Sequence, residues 1–395
     1  MPGLYEDSAL ATAAHVLTRG PLSRADVARD LGLSGGTLTR LVRPMIDAGL
    51  MRDDRIGASS SGMGRPTQLL EIPAADHLFI GVNVTATAVH AVLTDARARI
   101  LHTAVAPIME TAPTSVAALI ERSVAGLVAA AAVDPARLRG AGVSAGGPVQ
   151  EGVILHNRFL GWEDVEFSAL LGRRGGALDG LPRTMANDVV ALTTLEQWFG
   201  LGLDLTDFLL VTVGAGVGHG MVHGRRVVDS PLSGYGVTSH LPVWGAHGVC
   251  HYGHVGCADG ALTTPAVLAR ARGGRAVERD DGRPADLADL ADLALAGVAA
   301  ARRAVGDFGR DLAVYLQEVG AAAMVSDVVL DGEGVTLLDC PAASTFGENL
   351  ESFRSPRMPP LRVHRRSGTF DRWAQGAACT AIVTWLESQV PRRSS

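Results

Sequence analysis

No lysine occurs anywhere in the sequence, so all 35 basic side chains are arginine, set against 41 carboxylates for a formal net charge of −6. A phosphate loop of the Walker A type needs a lysine after its last glycine and is thereby excluded. The balance of charge also excludes the bulk basic surface of a general nucleic-acid binder, so any DNA contact must be local. Cysteine is scarce, at 4 in 395 residues, and no charged segment at the N-terminus leads into an apolar core, which together argue against secretion. No run of about eighteen apolar residues is free of charges or turn-formers, so no membrane span is predicted and the chain is expected in the cytoplasm. What is present is 47% apolar residues, enough for sizeable cores, over a length that calls for two or three domains.

Residues 1–73 read as one domain. Leu10, Ala13, Ala14 and Leu17 have helical spacing that stops at Gly20-Pro21. Ser23 is placed to cap a second helix through Val27, Ala28 and Leu31 to Gly32, and Ser34 a third carrying Leu38, Leu41, Val42 and Ile46 on one face. Two short helices, a tight turn and a third helix make a helix-turn-helix. Its candidate DNA contacts are Ser34, Gly35, Gly36, Thr37, Thr39, Arg40 and Arg43. Small residues at the start of the helix let its backbone approach base edges, and the arginines reach phosphate or guanine. Pro44 predicts a kink just beyond them. Strands over 50–55 and 68–72 flank a wing, where Gly64-Arg65-Pro66 resembles the motif that lays an arginine, here Arg65, into an A·T-rich minor groove. A generic three-helix bundle would account for the helices but not for these small residues or for Gly-Arg-Pro.

The body that follows alternates strands and helices. Strands are predicted over 78–84, 88–94 and 100–105, a helix over 114–132 and a buried strand over 140–144 before Gly146-Gly147-Pro148. A strand at 184–186, a helix at 188–199 and a strand at 208–213 follow, the last running into Gly214-Ala215-Gly216-Val217-Gly218. Helices are expected at 285–303 and 304–321 after a mobile surface loop over 270–284, and a final helix at 370–387. The order β-β-β-α-β-α, repeated once, is that of the actin-like sugar-kinase fold.

Together with the winged helix, the motifs Val143 to Val149, Leu160-Gly161-Trp162, Asn187-Asp188, Gly214 to Gly218, His240 to Val243 and Cys250 to Asp259 resemble, in order and spacing, the ROK family, in particular its xylose-repressor and N-acetylglucosamine-repressor type. The resemblance covers nearly the whole chain. It implies an α/β fold: a two-lobed, ribonuclease H-like ROK body behind an all-α winged helix-turn-helix, with domains at 1–73, 74–188 plus 370–390, and 189–369. It also implies that the last helix packs back on the first lobe.

In the family's kinases the first hairpin carries an Asp-x-Gly-Gly-Thr-Lys-like phosphate loop. Here the matching residues are Asn83 to Ala88, without the carboxylate, the glycines or the basic residue. Ala215 stands where the second loop has a hydroxyl, and Asp331-Gly332-Glu333-Gly334 puts two carboxylates where the adenosine-side glycines belong. The expectation is a body with no ATP and no catalytic residue, Asp188 occupying the former base position.

For a sugar or sugar-phosphate effector the resemblance implies Gly146, Gly147, Asn187, Asp188, His240 and Asp259 as contacts, with Val237 where the family has a sugar-binding glutamate. Asn187-Asp188 can alternatively be a helix cap with no ligand role. The family's structural zinc is held by a histidine and a Cys-x-Cys-Gly-x-x-Gly-Cys loop. Tyr252 replaces the middle cysteine, leaving His240, Cys250 and Cys257, with His251 or His254 for the fourth position. The resulting expectation is a homodimeric or homotetrameric repressor of sugar or amino-sugar metabolism on an A·T-rich inverted repeat. The alternatives are an active sugar kinase and a ligand-independent DNA-binding dimer.

Overall fold

The computed structural model describes residues 8–57, 67–273, 285–352, 354–355, 357–366 and 368–391. It divides into two compact units, residues 1–203 with 224–226 and 370–395, and residues 204–223 with 227–369.

The first unit begins with α1 (Ser8–Arg19), β1 (Leu22–Ser23), α2 (Arg24–Leu31), α3 (Gly35–Asp47), β2 (Arg52–Gly57) and β3 (Thr67–Glu71). The Ser23 hydroxyl accepts from Asp26 N and the Ser34 hydroxyl from Thr37 N, both at 3.1 Å, so each serine satisfies an orphan amide at its helix start. Gly32, at φ +66°, closes α2 in the left-handed conformation that glycine adopts without strain. Leu17, Val27, Leu38, Val42, Met45 and Leu70 fill the core between helices and sheet. The module is not all-helical, because its strands form a sheet in the order β1-β3-β2. Nor does α3 break at Pro44: this proline lies on the exposed face and its carbonyl accepts from Ala48 N at 3.0 Å, so the helix continues to Asp47. The wing tip, with Gly64-Arg65-Pro66, lies outside the described residues.

Next come β4 (Leu78–Val84), β5 (Ala88–Asp95), β6 (Ile100–Pro107), α4 (Pro113–Ala131), β7 (Leu138–Ala145), β8 (Val149–Gln150), β9 (Val153–Asn157), β10 (Trp162–Val165), α5 (Phe167–Leu170), β11 (Arg183–Asn187) and α6 (Asp188–Phe199). The main sheet runs β11-β7-β4-β5-β6, parallel from β11 to β4 and antiparallel beyond. The helix α4 has the length and apolar composition of a membrane span, but it turns Val116, Ile120, Val124 and Leu127 into the core of this sheet.

The second unit holds β12 (Phe208–Val213), β13 (Val217–His223), β14 (Arg226–Val227), α7 (Ala258–Leu262), α8 (Thr264–Ala271), α9 (Leu287–Leu295), α10 (Ala299–Ala323), β15 (Asp327–Asp331), α11 (Phe346–Glu351) and β16 (Arg362–Arg365). Its sheet runs β14-β13-β12-β15-β16. The break between the long helices falls at 296–298, not at 303–304 as expected, because Gly297 takes a φ of +88° that suits glycine and ends α9. Most of the expected surface loop, 274–284, lies outside the described residues.

The last helix, α12 (Phe370–Gln389), returns to the first unit. It lies against β4 and β7 at Gly81 and Gly142, which face each other across the strand pair. A Cβ on Gly142 would come 1.7 Å from Ala377 O, and one on Gly81 2.0 Å from Ala374 O, so only glycine admits the helix backbone here. A Cβ on Gly376 would likewise approach Ala191 O to 2.8 Å, which shows how closely α6 and α12 pack. This packing moves the unit boundary from the expected 188/189 to 203/204 and keeps α6 with the first unit.

The winged helix is fastened to the same unit. Arg97, in the β5–β6 turn, donates from Nε to Leu17 O at 2.9 Å and from its terminal nitrogen to Gly20 O. It thereby engages carbonyls at and just beyond the end of α1. Asp95 Oδ1 accepts from Arg97 N and Arg99 N at 2.8 and 3.0 Å, and Gln375 donates to Ala98 O at 2.6 Å, tying the turn to α12.

Candidate DNA-binding helix, effector contacts and metal centre

On α3, Leu38, Leu41, Val42 and Met45 are buried, whereas Ser34, Gly35, Gly36, Thr39, Arg40 and Arg43 are exposed and Thr37 is half-buried. Met45 rather than Ile46 completes the buried face. Ser34 and Thr37 are joined by the cap, and Thr39 donates to Gly35 O at 2.9 Å. Arg43 is bridged to Asp47, Nε lying 3.0 and 3.1 Å from the two carboxylate oxygens. Arg40 has no side-chain partner among the described residues and is the arginine most open to a base edge or phosphate.

In the first unit Asn187 ends β11 and caps α6. Its Oδ1 accepts from Val189 N and Val190 N at 3.0 and 3.2 Å, and its Nδ2 donates to Gly147 O and Asp188 Oδ1 at 2.9 and 3.1 Å. The amide is fully engaged, so Asn187 positions Asp188 and the Gly146-Gly147 turn. Burial pushes the Asp188 carboxyl up to about 6, against the opposing effect of the Val189 amide. Asp188 Oδ2 points toward Gly146, where a Cβ would stand 3.6 Å away. Gly147, at φ +91°, could carry no side chain, since a Cβ would meet His156 O at 1.9 Å.

Sequence reasoning passed over Asn157. Its Nδ2 donates to Gly146 O at 2.9 Å while its Oδ1 accepts from Phe159 N and Leu160 N, both at 3.0 Å. It therefore ties the β9–β10 loop to the Gly146 turn. The available signal was a buried-type amide three residues before Leu160-Gly161-Trp162.

The two loops that match the kinases' phosphate loops are each engaged by side chains of this protein. Between β4 and β5, Thr85 Oγ1 accepts from Ala88 N at 3.0 Å and Thr87 N at 3.3 Å, so both amides are engaged within the turn. Asn83, 2% exposed, donates to Ser144 Oγ at 3.1 Å in a closed buried pair. Between β12 and β13, Glu333 lies over Gly214, its Cγ 3.4 Å from where a Cβ would be, and its carboxylate accepts from Thr264 Oγ1 at 2.5 Å. Asp331 is fully buried behind it.

In the second unit, the loop from His240 to Asp259 is shaped by the bridges Pro242–Cys257 and Val249–Val255. His240, Cys250, His254 and Cys257 converge, one ligand atom from each lying within 4.8 Å of every other. Cys257 Sγ is 3.8 Å from His240 Nδ1. The expected ligand His251 is not in this cluster, because its Nδ1 pairs with Asp259 Oδ2 at 3.1 Å, and His254 stands in the fourth position instead. Tyr252, which replaces the cysteine, is exposed and meets the His240 ring edge-on at 5.1 Å. Val237 is 55% exposed and offers no polar contact.

The sequence pattern described as the ROK family matches residues 79–381. The chain belongs to the ROK family. A transcriptional regulator of Mycobacterium bovis is 29% identical, over 96% of this chain and 93% of that protein. The xylose repressor of Caldicellulosiruptor bescii is 23% identical over 260 residues, which are 64% of this chain and 63% of the repressor. Among solved structures, a ROK family transcriptional regulator, homolog of the Escherichia coli MLC protein, superposes with a TM-score of 0.76 at 20% identity, over 97% of this chain and 98% of that one. A ROK family glucokinase from Streptomyces griseus, in complex with glucose and AMPPNP, gives 0.60 at 22% identity, over 76% and 98%. At these identities both superpositions speak to the fold: the full-length match includes the N-terminal module, and the kinase match stops at the body.

Proposed function

We propose that this ROK protein is a DNA-binding transcriptional regulator of sugar or amino-sugar metabolism, a cytoplasmic repressor whose body no longer transfers phosphate. One contrast carries the reading. The recognition helix presents Gly35, Gly36 and Arg40 to solvent, while Thr85 and Glu333 engage the two loops that match the kinases' phosphate loops. The full-length relative named as a transcriptional regulator supports it.

The operator is an A·T-rich inverted repeat read by a homodimer or homotetramer, with Arg40 and Arg43 on the major groove and Arg65 in the minor groove. The effector is a sugar or sugar phosphate. Its candidate contacts in the first unit are Gly146, Gly147 and Asp188, held by Asn187, while His240 and Asp259, the other residues the family resemblance implies, belong to the cysteine-histidine loop of the second unit. By binding one arrangement of the dimer more tightly, it changes the spacing of the winged helices. The set His240, Cys250, His254 and Cys257 fits a structural zinc, since two thiolates and two imidazoles give the closed tetrahedron such sites use, with edges of about 3.5 Å. Zinc would brace a loop that has little regular structure of its own.

Gel shifts on DNA upstream of the gene, with and without sugars and sugar phosphates, together with ADP release and elemental zinc analysis, test this reading. Effector-sensitive binding with no sugar-dependent ADP release is expected. Sugar-dependent ADP release would return the chain to the kinases, and operator binding indifferent to every sugar would leave the body as a dimerisation scaffold.

A further inference from the structure

We infer that β6 is a self-pairing edge: two copies of the chain join through it, antiparallel about a two-fold axis at Ala104, so that their first-unit sheets become one continuous sheet. This rests on the oligomeric reading above and names a surface that reading leaves open.

Strand β6 is the last of its sheet and is bonded only to β5 among the described strands. Ile108 N donates to Thr87 O at 2.8 Å. Antiparallel alternation from that bond directs the N–H and C=O groups of Ala104 and Ala106 to β5 and those of Thr103 and Val105 outward. The outward groups have no partner among the described residues. An open edge is ordinarily guarded by charge, yet residues 100–109 contain no Asp, Glu or Arg. They expose apolar side chains instead: Leu101 by 46%, Val105 by 60% and Met109 by 87%. Val105 lies opposite His90, whose ring stacks at 5.0 Å on Phe370, itself 49% exposed. The edge thus joins an unfilled hydrogen-bond ladder to an uncovered apolar ridge.

An extended strand is what fills such a ladder, and β6 is its own complement. About an axis at Ala104, Thr103 of each copy faces Val105 of the other, and each of these two pairs exchanges two backbone hydrogen bonds. Both side chains are β-branched and favour strands. Pro107, which has no N–H, ends the ladder. Charge favours a second copy as the occupant: chains of net charge −6 repel each other, and this uncharged strip lets them meet without opposing charges to bury. Area agrees. Leu101, Val105, Met109 and Phe370, with the exposed His102, Thr103 and Pro107, present on the order of 700 Å², against about 800 Å² per partner in a standard interface. Arg97, which holds the end of α1, sits in the turn leading into β6, so pairing here would also set the two winged helices relative to each other.

Light scattering on the full-length protein over a concentration series tests the edge. Wild type should assemble in an even number of copies. Val105→Lys should halve that mass with an unchanged thermal midpoint, because the site is exposed, and Thr103→Lys should do the same. Combining Thr103→Glu with Val105→Lys should restore the wild-type mass, since each glutamate then faces a lysine of the other copy, and that recovery separates lost pairing from a folding defect. If the assembly survives both lysine variants, the edge is wrong and the oligomeric regulator stands on another surface. If wild type is a monomer at every concentration, both fall.

Discussion

The two five-stranded sheets share one strand order, yet their helices reach them by opposite means. In the first unit α12 is laid almost backbone to backbone on β4 and β7, through Gly81 and Gly142. In the second unit α10 stands off on large side chains, with Phe308, Leu312, Tyr315 and Leu316 fully buried in one core with Val211, Val328 and Leu330. One sheet tolerates no added atom and the other depends on the atoms it has. The same topology can therefore be specified by absence of side chain or by its volume, and the two solutions fail under opposite substitutions.

The largest effect should come from adding a methyl group to the first sheet. Gly142→Ala puts a Cβ into the Ala377 carbonyl and should cost about 3 kcal/mol or more, read as a collapse of the urea midpoint of the first unit. A wild-type midpoint would show that α12 is not seated there. The converse change, Leu312→Ala in the second unit, should cost about 2–4 kcal/mol by leaving a cavity. Gly142→Ala and Leu312→Ala should add, since they lie in different cores.

A smaller contrast concerns charge. The Asp188 carboxyl, raised to about 6 from an ordinary value near 3.8, favours the folded state most when protonated. Its contribution is therefore present below about pH 4 and lost as pH rises to about 6. After allowance for its partial exposure, Asp188→Asn should remove roughly 1–2 kcal/mol of pH-dependent stability across that window. An unchanged slope in a pH-resolved denaturation series would deny the burial. Smallest is the cap: Asn187→Ala should cost about 1 kcal/mol and Asn187→Ser less. Equal losses would mean the hydrogen bonds to Val189 and Val190 matter little.

The sequence made the helices of the N-terminal module legible because each boundary is written in one side chain: Ser23, Gly32 and Ser34 are where the caps fall. The strands of the body were legible through their apolar runs. The unit boundary was not, because the decision to keep α6 with α12 is made by the missing side chain of Gly376, and a glycine in a helix does not announce what it touches. Three members of the His240, Cys250, His254 and Cys257 cluster were legible from the spacing of the loop. Choosing His254 over His251 required the partner of His251, Asp259, which no spacing rule supplies.

The guanidinium of Arg97, seated on the end of α1, makes the winged helix a passenger. Its recognition helix has no coordinate of its own apart from the first unit, so a stretch of DNA that fits it reports on the body that carries it. The operator then serves as a ruler. If the protein is the proposed dimer on an inverted repeat, lengthening the repeat's spacer by one base pair at a time would read out, in affinity, how far apart two copies hold their first units, and repeating the series with a sugar effector would read out any movement between them.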